Sequence, residues 1–196
     1  MLIEMHSHSS EYSSCSHVAA ADLVREAFDL GLQGIVLTDH HHLWSEEDLE
    51  LLRKDAGVQD FFLVLSGQEV STSDFGDVLI YGADITFKRG SSLRDIREEF
   101  PGAAIIWAHP YRYGNIPDSD QLLNPLLNGI EIFSSNHSIS ESNRGLEDWH
   151  QYKFTAIGGT DSHAKSYIGT YPTQFDHPLS GMEEFIEEIR MGRCRP

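Results

Sequence analysis

Hydrophobic positions along this chain follow two alternating patterns, which predict strands and helices in turn. Short apolar runs such as 103–108 are typical of buried strands, whereas apolar residues three and four apart, such as Leu23, Ala27 and Leu30, indicate amphipathic helices. The predicted strands cover residues 2–8, 34–40, 61–70, 77–83, 103–108, 129–133 and 154–159. The predicted helices cover residues 19–30, 45–55, 91–100, 119–127, 141–151 and 182–191.

The order of these elements predicts an α/β fold. Strands that alternate with helices favour a parallel sheet with the helices outside. Seven such units favour a closed (β/α)7 barrel over an open sheet. A chain of 196 residues with 40% hydrophobic content suits one domain over residues 1–196. The longest apolar runs are too short to span a bilayer.

Side chains that can bind metal ions follow most of the predicted strands directly. His6 and His8 are two residues apart, so in an extended chain both imidazoles point to the same side. Asp161 and His163 repeat this spacing. Because the active site of an α/β barrel lies at the C-terminal edges of its strands, we expect these side chains to converge there. The complete set of predicted metal ligands is His6, His8, His40, Glu69, His109, Asp161 and His163.

Three of these ligands have an alternative interpretation. His40 begins the run 40–42, in which only one histidine can point inward, and His109 could be an ordinary core histidine. Glu69 could form a salt bridge instead of bridging two cations. By strict alternation, Glu131 is expected on the opposite face of its strand. Asp39 is expected to accept a hydrogen bond from the N–H of a ligand imidazole and so fix the tautomer of that imidazole.

Charge and cysteine content narrow the possible partners and metals. The net charge of −17 predicts repulsion of nucleic acid and of anionic membranes, although bound cations would reverse the potential locally. Cys15 and Cys194 make no disulfide framework, and the N-terminus lacks the pattern of a signal peptide, so we expect a reducing, cytoplasmic setting. A ligand set of imidazole and carboxylate without cysteine suits zinc, manganese or iron.

The strand-end motifs resemble those of the PHP superfamily, named for polymerase and histidinol phosphatase. The resemblance runs from residue 5 to residue 163. It implies a distorted seven-stranded barrel related to the TIM barrel, two or three divalent metal ions and phosphoester hydrolysis. It also implies that Glu69 bridges two metals, one held with His6, His8 and Asp161 and the other shared with His109, while His40 and His163 belong to a third. The motifs are His6-x-His8, Thr38-Asp39-His40, Gly67-Gln68-Glu69, His109-Pro110 and Thr160-Asp161-Ser162-His163.

The chain departs from the family pattern at two positions. Many members carry an Asp or His ligand of the third metal near position 13, where this chain has Ser13 with Glu11, Cys15 and His17 nearby. Many also carry a histidine soon after the bridging glutamate, where this chain has Asp77. His17, Glu11 and Asp77 are the candidate replacements, and the metal count stays open between two and three.

These observations predict a metal-dependent phosphoesterase that uses a metal-activated hydroxide on a small phosphomonoester or phosphodiester. His40, Asp161 and His163 are candidates for proton transfer. Arg112 is a candidate phosphate clamp, or else a solvated loop arginine. The alternatives are a hydrolase of C–N bonds and a non-catalytic metal-binding regulatory module. The expected partner is a small phosphoester, with no nucleic acid duplex and no membrane, and the oligomeric state is left open.

Overall fold

The computed structural model describes residues 1–196, which form one nine-stranded sheet and six α-helices. The strands are β1 (Leu2–Glu4), β2 (Gly34–Leu37), β3 (Leu63–Ser71), β4 (Asp77–Tyr81), β5 (Ala104–Trp107), β6 (Gly129–Phe133), β7 (Ala156–Gly158), β8 (Thr173–Phe175) and β9 (Cys194–Arg195). The helices are α1 (Ala20–Asp29), α2 (Glu46–Ala56), α3 (Leu93–Glu99), α4 (Ser119–Leu122), α5 (Ile139–Tyr152) and α6 (Met182–Arg190).

The sheet is mixed, not parallel, and the predicted count of seven strands is wrong. The strand order is β7-β6-β5-β4-β3-β2-β1-β8-β9. β4 is antiparallel to both β3 and β5, because only the short turn 72–76 joins it to β3 and a parallel connection needs a crossover of a dozen or more residues. β8 is antiparallel to β1 and to β9. β8 and β9 are too short to show a recognisable alternation of apolar and polar residues, so the sequence did not predict them.

The sheet curls into a barrel-like shape with one seam between β1 and β7. At the N-terminal end of the seam, β8 and β9 fill the gap, and β9 packs beside β7. At the opposite edge, the segments after β1 and β7 pair directly through a bridge between Ser7 and Ser162. The His8 N–H donates to the Ser162 carbonyl at 2.9 Å, and the Ser162 N–H donates to the His6 carbonyl at 3.2 Å. The His6-x-His8 motif and the Asp161-Ser162-His163 motif therefore lie side by side where the barrel closes.

The barrel interior is apolar below this edge. Ile3, Val36, Leu65, Ile106 and Ile157 belong to one buried cluster with Phe185 of α6. The Arg190 side chain, also in α6, donates to the carbonyls of residues 101 and 102 just before β5, so α6 covers the N-terminal end. A second apolar cluster joins α1 and α2 to the outer face of β2 and β3. The polar edge is consequently the end of the barrel that stays open to solvent.

A close approach explains the glycine of the Gly67-Gln68-Glu69 motif. A Cβ on Gly67 would lie 2.6 Å from the Tyr81 ring. The Tyr81 hydroxyl donates to the Met5 carbonyl at 2.9 Å and so ties β4 to the segment that leads into His6. Gly67 thus gives Tyr81 the space it needs beneath the candidate site.

No helix combines the length and the apolar content needed to cross a membrane. Both cysteines are free thiols: Cys15 is exposed, and Cys194 is half-buried in β9.

Candidate metal centre

Four of the predicted ligands form a first group, which converges on one point at the open edge of the barrel. His6 and His8 follow β1, Glu69 lies in β3, and Asp161 follows β7; all four are buried. The Nε2 atoms of His6 and His8 are 3.0 Å apart. The Asp161 Oδ1 atom lies 3.0 Å from His8 Nε2 and 3.4 Å from His6 Nε2. The Glu69 Oε2 atom lies 3.2 Å and 3.5 Å from the same two nitrogens.

These distances fit a divalent cation. Ligand bonds of about 2.0–2.2 Å to nitrogen and oxygen place the corners of a tetrahedral site roughly 3.3–3.6 Å apart, and the measured separations are 3.0–3.5 Å. In addition, Asp161 Oδ1 is buried and accepts no hydrogen bond. A buried carboxylate oxygen without a partner is costly unless a cation binds it. The donor set of two imidazoles and two carboxylates therefore suits a metal ion.

Glu69 belongs to a second group, with Asp77 and His109. Its Oε1 atom lies 2.9 Å from His109 Nε2, whereas its Oε2 atom faces the first group. The carboxylate thus presents one oxygen to each group, which is the arrangement a bridging ligand requires. Asp77, the candidate replacement for the missing family histidine, is in this group.

A third, more open group consists of His8, His40 and His163. The His8 ring centroid lies 4.4 Å from that of His40 and 4.5 Å from that of His163. The side chains of His40 and His163 are 37% and 31% exposed. His17 is exposed, Glu11 accepts a hydrogen bond from the Ala20 N–H at 3.1 Å, and neither belongs to one of the three groups.

The electrostatics of the edge favour added positive charge. Burial would lower the pKa of His6, but the carboxylates of Asp161, Glu131 and Glu69 outweigh it and raise that pKa well above its usual range. The pKa of His8 rises to about 9 in the same way, because Asp161 and Glu69 offset its burial. Although burial opposes ionisation of Glu69, the neighbouring histidines hold its pKa well below the usual range. A divalent cation can replace the protons that the histidines would otherwise hold.

Glu131 supports this site, contrary to the expectation that it faces away. It is fully buried in β6, its Oε1 atom lies 2.9 Å from His6 Nδ1, and its Oε2 atom accepts the His109 N–H at 2.7 Å. With the Nδ1 proton directed at Glu131, the Nε2 lone pair of His6 is free to bind a cation. Ile130 and Ile132 on either side of it pack against α5 in an outer apolar cluster, so the alternation of β6 turns Glu131 toward the barrel interior. Gly159 leaves room for the carboxylate, since a Cβ there would collide with it.

Asp39 acts on the ligands through Ser13 and not directly. Its carboxylate accepts hydrogen bonds from the Ser9 N–H at 2.7 Å, from the Ser13 hydroxyl at 2.6 Å and from Trp44 Nε1 at 2.8 Å. The Ser13 Oγ atom also accepts the His40 N–H at 3.1 Å and lies 3.3 Å from His8 Nδ1. Ser13, at the position of a missing family ligand, therefore orients two candidate ligands instead of binding metal.

Two of the candidate ligands adopt left-handed backbone conformations. His109 has φ 32° and Asp161 has φ 53°. Such conformations are uncommon outside glycine and persist where the surrounding structure enforces them, often at functional sites. Here the hydrogen bond of the His109 N–H to Glu131 and the pairing of the segment after β7 with the segment after β1 supply that constraint.

An open pocket of about 340 Å³ lies over the three groups. Arg112 lines it, half-buried, with its guanidinium 4.6 Å from the Tyr113 ring centre. Asn136, which the sequence did not suggest, also lines the pocket and donates to the Asp161 Oδ2 atom. His41 and His42 turn away: His41 Nδ1 contacts the Phe87 carbonyl at 3.1 Å, and His42 stacks on Tyr12. All seven predicted ligands thus lie at one edge, and their roles as ligands stay predictions.

Comparisons with known proteins support a PHP-like fold. Residues 143–194 match the PHP-associated family. No curated protein sequence matches the chain. A two-domain protein from Bacteroides vulgatus that contains a predicted PHP-like metal-dependent phosphoesterase is 18% identical, with a TM-score of 0.73 over 99% of this chain and 63% of that one. An amidohydrolase from Chromobacterium violaceum with bound sulfate and no metal is 14% identical, with a TM-score of 0.64 over 95% of this chain and 96% of that one.

A third solved structure corrects one expectation. Endonuclease Q, in complex with a 27-mer duplex carrying an abasic lesion at its active site, is 14% identical, with a TM-score of 0.61 over 97% of this chain and 57% of that one. Excluding a nucleic acid duplex because of the net charge was therefore wrong, since a protein of this fold acts on one. Net charge sums over the whole surface, whereas cations at one site set the potential there.

The fold and the candidate site define a mixed α/β barrel with clustered metal-binding side chains at the C-terminal edge of its strands. Together with the match of residues 143–194 to the PHP-associated family, they confirm the resemblance of the motifs to the PHP superfamily. The three solved structures described above are each less than 25% identical to the chain, so they show its fold and leave its activity to be proposed.

Proposed function

We propose that this protein is a metal-dependent phosphoesterase that hydrolyses a phosphomonoester or phosphodiester bond. The observation that carries the proposal is the closeness of the groups: Glu69 is shared by the first and second, and the third adjoins the first at His8. Adjoining groups suit two or three cations held close together. When bound, such cations supply a water of lowered pKa and stabilise charge that develops on phosphoryl oxygens.

The protein's own side chains divide the remaining tasks. His6, His8, Glu69 and Asp161 would hold one cation, Glu69, Asp77 and His109 a second, and His40 and His163 would contribute to a third. His40 and His163 are also the candidates for moving a proton, because they are the most exposed of the set. Burial and the nearby His8 lower the pKa of His163, so its imidazole is neutral at pH 7 and can accept a proton. Asp161 is better suited to binding than to proton transfer, since its pKa is held below the usual range.

A metal-dependent hydrolase of C–N bonds is the second candidate. It is supported by the likeness of the fold to the Chromobacterium violaceum amidohydrolase. A metal-binding regulatory module is the non-catalytic alternative. One domain over residues 1–196 and a cytoplasmic setting belong to the same proposal.

The test combines metal analysis with a substrate panel. The purified chain, reconstituted with zinc, manganese or iron, is expected to bind two or three equivalents and to hydrolyse phosphoesters, and removal of the metal by a chelator should abolish turnover. The panel includes phosphomonoesters, phosphodiesters, a nucleic acid duplex and amides. Turnover of amides alone would favour the C–N hydrolase, and metal retention without turnover would favour the regulatory module. Failure to bind any of the metals would contradict all three.

Replacement of Arg112 by alanine is expected to raise KM for a phosphoester by about tenfold or more, since a charge-assisted hydrogen bond is worth roughly 1.5–3 kcal/mol. The reason is that Arg112 is half-buried on the pocket wall, where it begins the short helical turn at 112–114. Steady-state kinetics of Arg112→Ala checks the prediction. Arg94→Ala, an exposed arginine of α3, is the matched control and should leave KM unchanged. Unaltered kinetics in Arg112→Ala would leave the arginine a solvated loop residue.

A further inference from the structure

A cysteine stands beside the third group of candidate ligands. The Cys15 Sγ atom lies 3.1 Å from His163 Nε2, and both residues line the pocket with His40. The loop that carries Cys15 is held on both sides. The Ser13 hydroxyl donates to Asp39 at 2.6 Å, and the Ser16 hydroxyl donates to the His8 carbonyl at 2.7 Å. The thiol is therefore presented to the pocket by a fixed backbone.

The third position lacks donors without this thiol. The Nε2 atom of His8 faces Glu69 and Asp161 in the first group, and its Nδ1 atom faces the Ser13 hydroxyl. An imidazole whose Nε2 binds one cation has no second lone pair while Nδ1 keeps its proton. Only His40 and His163 then remain, and an imidazole ligand carries no negative charge to offset that of a cation.

We propose that Cys15 joins His40 and His163 as the third protein ligand of this outer cation. The inference rests on the proposed metal centre and adds a soft donor to it. Coordination replaces the thiol proton by the cation, so that one S–H bond breaks, one metal–sulfur bond forms and one proton is released.

The hydrogen bonding of His163 supports the assignment. His163 Nδ1 lies 3.0 Å from the Asp161 carbonyl, so the proton belongs on Nδ1 and the Nε2 lone pair points toward Cys15. Because the Cys15 side chain is exposed, it can exchange staggered rotamers without moving the backbone.

The thiol changes the expected choice of metal. Imidazole and carboxylate ligands alone accept zinc, manganese or iron, whereas a thiolate favours zinc over manganese. The outer position should therefore prefer zinc, while the two buried positions keep the broader preference of their nitrogen and oxygen donors.

Cobalt(II) added to the metal-stripped full-length chain tests the proposal, because a cobalt–thiolate bond gives a near-ultraviolet charge-transfer band. We expect this band in the wild type and in Cys194→Ser, whose altered thiol is in β9 and outside the pocket, and its loss in Cys15→Ser. Visible cobalt bands from the nitrogen and oxygen donors should persist in all three. Two outcomes would overturn the assignment of Cys15 while leaving the proposed metal centre in place. One is a charge-transfer band that persists in Cys15→Ser, and the other is a wild type that shows the visible bands without the charge-transfer band. Absence of every cobalt band overturns the metal centre and the assignment together.

A second measurement avoids altering Cys15. In Cys194→Ser, Cys15 is the single thiol, and its alkylation can be followed with and without zinc. We expect the exposed thiol to react in the metal-free chain and to lose that reactivity at saturating zinc. Alkylation that proceeds equally fast in both states would show that the sulfur does not bind the cation.

Discussion

Replacement of Glu69 by glutamine is expected to lower kcat/KM for a phosphoester by on the order of 10³-fold, equivalent to about 4 kcal/mol of transition-state stabilisation. The reason is that Glu69 Oε2 faces His6 and His8 while Oε1 faces His109, so one neutral amide would weaken two cation positions at once. Kinetics and elemental analysis of Glu69→Gln, each at equal protein concentration, measure the two effects.

Asp77→Asn is the matched comparison for this prediction. Asp77 belongs only to the group of Glu69 and His109, so its neutral variant should lose metal at one position, whereas Glu69→Gln should lose it at two. If both variants lost the same amount of metal, Glu69 would not be a bridging ligand. Wild-type metal content and turnover in Glu69→Gln would remove it from the site altogether.

Replacement of Glu131 by glutamine is expected to weaken metal binding by about 10–100-fold without removing a ligand. Its carboxylate receives both the His6 Nδ1–H and the His109 N–H. A glutamine amide has one oxygen, so its NH2 group would face one of these donors and leave it unpaired in a buried site. That unpaired donor should also lower the free energy of unfolding by roughly 1–3 kcal/mol.

Glu188→Gln separates the two consequences. Glu188 is likewise buried, but it pairs with Arg193 on the far side of the barrel and contacts no candidate ligand. Its variant should lose stability and keep the metal affinity of the wild type. Equal metal affinities in both variants would show that Glu131 has a structural role alone. Titration of the metal-stripped proteins, with denaturant unfolding in parallel, measures both quantities.

The sequence could predict where the candidate ligands converge because the patterns that predict it are local. A short apolar run followed by His, Asp or Glu places that side chain at a strand end, and the i, i+2 spacing of His6 with His8 places both on one side. Parallel neighbouring strands then bring such ends to one edge. For this reason the convergence of all seven predicted ligands could be expected before any contact was known.

The sheet topology could not be predicted in the same way. The apolar pattern of residues 77–81 is compatible with a parallel or an antiparallel strand. The turn at 72–76 is too short for a parallel connection, so β4 is antiparallel to β3. β8 and β9 have three and two residues, too few for a period to be recognised. Their pairing with β1 and with each other is decided by the seam that they fill.

The amino-acid sequence was enough to identify side chains that can bind cations, the strand ends that carry them and the family whose motifs they resemble. Their surroundings became known from the folded structure: Glu131 behind His6, Ser13 between Asp39 and His8, and Cys15 beside His163. The physical reason is the range of the interactions. Strand ends follow from neighbours in the chain, whereas the contacts of Glu131 with His6 and of Cys15 with His163 join residues 125 and 148 positions apart, and such contacts exist only once the barrel has closed.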